Sequence, residues 1–334
     1  MRVLVTGGAG YVGSVSVRLL LQAGHEVVVL DTLERGHREA VDDRADFVLG
    51  DVGDADAVRE ALCCCDAVLH CAGYIDVAES VRDPEAYFEN NASKPAVLLE
   101  QMRIAGVDAL VFSSTAAVYG EPDAVPIPED APCRPVNPYG ESKLRFEQAI
   151  AAASQSWGLR AVVFRYFNVA GAWPDGSLGE AHEPETHIIP RVLGVIRDGV
   201  REFEIYGRDY PTPDGTCIRD YIHVCDLADA HARGLERLAA GKDGCVCNLG
   251  TGKGWSNLEV VQACARTAGV SMKVTFGPRR PGDPAVLVAG SDRARALLGW
   301  RPRRSDLGTI VEDAWRWERA GRFNAGRKGV TGSC

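Results

Sequence analysis

A chain of 334 residues is long enough for one large domain or two modest ones around a well-buried core. Hydrophobic residues at 46% and charged residues at 25% are ordinary globular values, and no stretch approaches the roughly 20 apolar residues of a membrane helix. A net charge of −9 argues against a nucleic-acid binder, while leaving room for a small anionic ligand held by a few local arginines and helix N-termini.

The N-terminus opens directly into Arg2–Thr6, which reads as a buried strand rather than a secretory leader, so a cytoplasmic protein is expected. That strand runs through Gly7, Gly10 and Gly13 into a helix over about residues 12–23. The three glycines suit a tight turn, close backbone approach to a pyrophosphate, and tight helix–strand packing. The helix start would direct free N–H groups and its positive end at phosphates. The next strand, Glu26–Leu30, ends in Asp31, a carboxylate placed to accept from an adenosine ribose and to repel a 2′-phosphate. NAD is therefore favoured over NADP, although Arg35 lies close by.

Further apolar runs at 47–49, 67–70 and 109–112 alternate with helical segments at 55–62 and 94–105. This alternation predicts an α/β fold, a Rossmann-type doubly wound parallel sheet. His70, at a strand end, reads as a core histidine. Eleven cysteines include Cys63-Cys64-Cys65 and the alternating Cys245 and Cys247, but neither group has paired C-x-x-C spacing. They read as reduced, buried thiols, and no metal site is identified.

The chemistry-bearing stretch follows. Ser113-Ser114-Thr115 comes directly after an apolar strand, at the sheet edge where such folds bind ligands. Pro138-Tyr139-Gly140-Glu141-Ser142-Lys143 enters a long helix running towards Ser154, with Tyr139 and Lys143 four apart on one face. A neighbouring ammonium and a cationic nicotinamide ring would both favour the phenolate of Tyr139, making it an acid/base for a hydroxyl whose carbon loses a hydride.

The glycine pattern, the Ser/Thr cluster and Tyr-x-x-x-Lys resemble the extended short-chain dehydrogenase/reductases. Phe112–Gly120, Asn137–Gly140, Arg165–Asn168, Asp209–Thr216, Ile218–Val224 and Arg279–Asp283 are similar to the UDP-galactose 4-epimerases among them, over residues 2–317. The resemblance implies interconversion of UDP-galactose and UDP-glucose at C4 with tightly bound, regenerated NAD. It implies catalytic roles for Tyr139, Lys143 and Thr115. Positions matching those that hold NAD are Gly7, Gly10, Tyr11, Val12, Gly13, Asp31, Thr32, Asp51, Val52, Ala72, Asn91, Ser113, Tyr139, Lys143 and Phe167. Those around the nucleotide sugar are Thr115, Asn168, His187, Tyr206, Arg219, Arg280, Asp283 and Leu287.

It also implies a homodimer, with no nucleic-acid or membrane partner. The expected division is an NAD domain over 1–168 with a segment near 212–232 crossing back, a smaller nucleotide-sugar domain over 169–320, and a tail from 321 to 334. Ile75 stands where some relatives carry a lysine. Leu287 is intermediate between the bulky and small residues found at its position, which leaves N-acetylated sugars open, as UDP-glucuronate also is. Ala116 and Ala117 replace the acidic pair of a nucleotide-sugar dehydratase. A non-catalytic dinucleotide sensor is the rival from another class, and the presence of Tyr139, Lys143 and Thr115 together argues against it.

Overall fold

The computed structural model describes residues 1–280 and 283–321; residues 322–334 of the expected tail, and Pro281-Gly282, lie outside the described residues. The first six strands are β1 (Arg2–Thr6), β2 (Glu26–Asp31), β3 (Asp46–Leu49), β4 (Ala67–His70), β5 (Ala109–Thr115) and β6 (Arg160–Tyr166). They are joined by helices α1 (Tyr11–Gln22), α2 (Ala55–Ala61), α3 (Val77–Arg82), α4 (Pro84–Phe88), α5 (Lys94–Ala105) and α6 (Pro138–Trp157). After β6 the chain forms β7 (Asn168–Ala170), α7 (Ile188–Arg197), β8 (Glu202–Tyr206) and β9 (Ile218–His223). It then returns to the large sheet through α8 (Val224–Ala239) and β10 (Cys245–Leu249). The remainder is β11 (Gly254–Ser256), α9 (Asn257–Ala268), β12 (Lys273–Gly277), β13 (Val286–Leu287), α10 (Asp292–Leu298) and α11 (Leu307–Ala320).

The large sheet has the order β10-β6-β5-β4-β1-β2-β3, and every neighbouring pair is parallel. A parallel sheet is covered on both faces, so alternate residues of each strand enter different cores. Val3, Val5, Val29, Val111 and Phe164 face α1 and α8, meeting Leu20, Leu227 and Leu235. Leu4, Val28, Leu110, Phe112 and Val163 face the opposite layer, meeting Val58, Leu98 and Phe146. A third core joins α7, α9 and α11 to β8 and β9. Strand order reverses between β1 and β4, and the carboxyl ends on either side of such a reversal open a ligand crevice.

The sequence places Ser113-Ser114-Thr115 just past a strand; the structure keeps them inside β5. Their pairing with β6 continues through Ser113–Phe164 and Thr115–Tyr166, so backbone pairing overrides the polar side chains. Among the described residues no helix is long and apolar enough to cross a membrane.

Candidate active site

The glycine loop lies where β1 meets α1. Gly7 has φ +72°, which a side chain would strain, and its N–H donates to the Leu30 carbonyl at 2.9 Å. A Cβ on Gly13 would stand 2.0 Å from the Gly7 carbonyl oxygen, so only hydrogen fits. Gly10 is the N-cap position of α1, which has no side-chain cap and no acidic residue in its first turn. Its first N–H groups and positive end are thus suited to a pyrophosphate. Tyr11 anchors the loop by donating to the Gly171 carbonyl at 2.6 Å.

Asp31 closes β2 and is buried; its carboxylate accepts from the N–H groups of Ala9 (2.9 Å) and Leu33 (2.8 Å). Each carboxylate oxygen keeps a second lone pair, so a ribose hydroxyl remains a possible donor. Arg35, the cation that weakened the choice of NAD over NADP, is held bidentately by Glu79 at 2.8 and 2.9 Å and lies over the Tyr74 ring. Thr32 is exposed beside Asp31. Asp51 accepts from Gly53 N–H and from Lys94 Nζ at 2.6 Å, while Val52 packs into the core with Leu30 and Val58.

The catalytic candidates meet at the carboxyl end of β5. Asn137 caps α6, accepting from Gly140 N–H at 2.9 Å, with Pro138 preset for the first turn. The helix then carries Tyr139 and Lys143 inward, both buried. Lys143 Nζ donates to the Ser113 carbonyl at 3.2 Å and sits 5.1 Å from the Phe112 ring centroid. Gly73 lets it approach, since a Cβ there would lie 2.9 Å from both Nζ and Asn91 Oδ1. Asn91 is held by Tyr74 N–H (2.8 Å) and donates to Ser142 Oγ (3.1 Å). Ala72 lies against Gly7, and Phe167 is buried with Ala116, Val118 and Leu287.

Burial brings the Lys143 ammonium down to about 8, against weaker support from Cys71 and Glu147. Burial also raises Tyr139 above its ordinary value, with the Thr115 hydroxyl opposing. In the protein alone desolvation outweighs that support.

Successive β5 side chains project to opposite faces. Ser113 Oγ meets His231 Nε2 of α8 at 3.2 Å, and His231 Nδ1 meets Ser16 Oγ at 3.0 Å. Ser114 Oγ donates to Glu147 of α6, whose carboxylate also receives Arg165 Nε at 3.0 Å. Arg165 Nη1 continues to the Tyr119 hydroxyl at 3.1 Å, which donates to Asn248 at 2.7 Å. This buried network fixes α6 to β5, β6 and β10. The sequence reading assigned no role to Glu147 or His231. Glu147 follows Lys143 by four residues, so helical spacing puts it on the same face, while its partner Arg165 carries no such local mark. His231 is 118 residues from Ser113 and offered no local signal.

Three of the nucleotide-sugar candidates lie on a smaller sheet of order β11-β9-β13 with β7 beside β9. Asn168 pairs with Tyr221 in β7–β9, and Leu287 pairs with Arg219 in β13–β9. Arg219 donates to Asp283 and to the Ile218 carbonyl, and Arg280 lies over the Tyr206 ring. His187 occupies the N-cap position of α7 without a side-chain cap bond, its Nδ1 against Glu180. Around that pair lie His182 and Glu185.

The profile of the NAD dependent epimerase/dehydratase family matches residues 3–250. The UDP-glucose 4-epimerase of Lacticaseibacillus casei is 50% identical over 319 residues, 95% of this chain and 96% of that protein. That of Streptomyces lividans is 51% identical over 317 residues, 94% and 95% of the two chains. The Brucella ovis UDP-glucose 4-epimerase in complex with NAD superposes with a TM-score of 0.91 at 44% identity, covering 94% of this chain and 97% of that one. The Bifidobacterium longum enzyme in complex with NAD⁺ and UDP gives 0.90 at 35% identity, covering 96% and 99%.

Proposed function

The chain belongs to the NAD dependent epimerase/dehydratase family, and from that premise we propose that it interconverts UDP-galactose and UDP-glucose by inverting the sugar at C4. Bound NAD supplies the acceptor for the C4 hydride and the donor that returns it to the opposite face. The cradle fits that cofactor: a glycine loop that excludes side chains, an uncapped helix start, and a buried carboxylate at the end of β2.

In this reading Gly7, Gly10, Tyr11, Val12 and Gly13 carry the pyrophosphate, and Asp31 with Thr32 takes the adenosine ribose. Asp51, Val52, Ala72, Asn91, Ser113 and Phe167 complete the NAD site. Tyr139 takes the proton of the 4-hydroxyl as C4 is oxidised and gives it back after the ketone turns over. Thr115 hydrogen-bonds the same hydroxyl. Lys143 holds a ribose and orients Tyr139. Because burial holds the phenol up, positive charge close to the ring is needed to ionise it, and a cationic nicotinamide would bring that.

Arg219 and Arg280 grip the diphosphate, using guanidinium donors beyond those given to Asp283 and Ile218. Asn168, Tyr206, Asp283 and Leu287 line the rest.

The observation that carries epimerisation rather than dehydration is what stands next to Thr115. Ala116 is buried in an apolar cluster with Val118, Tyr119 and Phe167, and Ala117 follows it, so neither position can move a second proton. The test is incubation of the purified protein, without added cofactor, with UDP-galactose and NMR of the product. UDP-glucose is expected; no conversion even with added NAD⁺ would end this reading. UDP-N-acetylgalactosamine in parallel reports what Leu287 admits. We further take the protein to be a cytoplasmic homodimer pairing α5 and α6 of each subunit, which light scattering checks by mass.

A further inference from the structure

Between β7 and α7 the sequence repeats a short unit, Glu180-Ala-His182 and then Glu185-Thr-His187. The fold turns the two units towards each other, and one ligand-type atom from each of the four side chains lies within 4.8 Å of all the others. His182 Nδ1 is 3.0 Å from Glu180 Oε1 and 3.9 Å from Glu185 Oε2; His187 Nδ1 is in short contact with Glu180 Oε1 and 3.9 Å from Glu185 Oε1. A tetrahedral centre with bonds of about 2.0–2.2 Å separates its ligand atoms by about 3.3–3.6 Å, a range these distances bracket.

We propose that Glu180, His182, Glu185 and His187 form a binding site for a divalent transition metal of the zinc class.

Three observations carry it besides the spacing. The charge is right once an ion displaces the protons of the two imidazoles, since the two carboxylates then leave two negative charges for a dication. The donors are right, since nitrogen with oxygen suits zinc or cobalt, whereas magnesium and calcium take oxygen alone. The site is also built into the protein. The Glu180 side chain is 5% exposed, and its carbonyl is fixed by Trp317 Nε1 at 2.7 Å. His182 Nδ1 is buried and points at Glu180 without the alignment of a hydrogen bond. A cavity of about 330 Å³ lined by His37, Glu180, His182, Glu185 and Arg191 gives an ion a way in.

The site would act as a clasp. The His182 ring packs edge-on to Tyr11 of the glycine loop, with centroids 6.3 Å apart, and His187 begins α7. A bound ion would hold the loop that cradles the cofactor against the start of a helix from the smaller part of the fold. Nothing in this requires the epimerase reading, and the test uses no nucleotide sugar.

The full-length protein, freed of metal by a chelator, is titrated with zinc chloride by calorimetry and then loaded with cobalt(II) for absorption spectroscopy. Wild type should take one equivalent, with a tetrahedral cobalt spectrum free of thiolate charge-transfer bands, which separates this site from the cysteines. His182→Gln and Glu185→Gln should each weaken that equivalent at least tenfold, and Glu185→Asp should recover part of it. Circular dichroism confirms that each variant is folded. The proposal is overturned by the lack of saturable zinc binding in the wild type, by a thiolate cobalt spectrum, or by undiminished binding in the folded variants.

Discussion

Replacing Lys143 with methionine should stabilise the cofactor-free protein at neutral pH while removing its activity. The side chain is buried and its ammonium is lowered from 10.5 to about 8, chiefly by burial. That difference of about 2.5 units, at about 1.4 kcal/mol per unit, means the charged form costs roughly 3 kcal/mol of folding stability. Methionine keeps the length and discards the charge. Losing the hydrogen bond to the Ser113 carbonyl takes back about 1 kcal/mol, leaving a net gain of about 2 kcal/mol at pH 7.

The pH dependence follows from the direction of the shift. Below the folded value of about 8 both states bind the proton and the cost is complete. Between about 8 and 10.5 the unfolded chain binds more protons than the folded one, so wild-type stability rises with pH and the cost fades. Urea unfolding at pH 7, 8, 9 and 10 measures it, with cofactor removed because bound NAD would stabilise only the form that holds it. A variant less stable than wild type at pH 7, or a difference that does not change with pH, would refute this account of the buried charge.

Tyr139→Phe should lower kcat by about 10²–10⁴-fold if the phenol is the proton carrier, measured with UDP-galactose on protein shown by absorbance to retain NAD. Glu147→Ala strands the buried Arg165 guanidinium and should cost about 3–5 kcal/mol, whereas the double variant with Arg165→Met should recover part of it; urea unfolding reads both. His70 and His231 are buried and held at about 3, well below the ordinary 6.5. Their neutral forms stabilise the fold above pH 6.5, and that contribution is lost as pH falls from there towards 3. The two together add up to about 2.7 kcal/mol per pH unit to the acid limb, and His231→Gln should remove about half that slope in unfolding scans.

How much of this was legible in the sequence depends on how far apart the interacting residues lie. The glycine loop, Asp31 and the Tyr139–Lys143 pair are each local: a turn, a strand end, one helix face. Their chemistry survives being read in a window of a few residues. The Glu147–Arg165 pair spans 18 residues, Ser113–His231 spans 118, and Arg219–Asp283 spans 64. Each of these arises from packing that brings separate strands and helices together, and no periodicity encodes it. Thr115 illustrates a subtler limit. Its polar neighbours read as a loop, yet β6 supplies a complete set of pairing partners and the strand continues. Glu180 and His182 lie in a stretch without cysteines, so the C-x-x-C spacing that marks many metal sites does not point to them.

The late position of β10 sets a constraint on how the protein can be made. Strand β6 ends at residue 166, but its outer neighbour ends only at residue 249. On the ribosome, β6 therefore waits with an unpaired edge while some 80 further residues are added, roughly 4–16 s at 5–20 residues per second. Helix α8, which covers Val111 and Phe164, emerges in the same interval. The nascent chain thus carries a sticky strand and an uncovered apolar face for seconds, the conditions under which chains join edge to edge. A gene cut after residue 168 would make that passing state permanent.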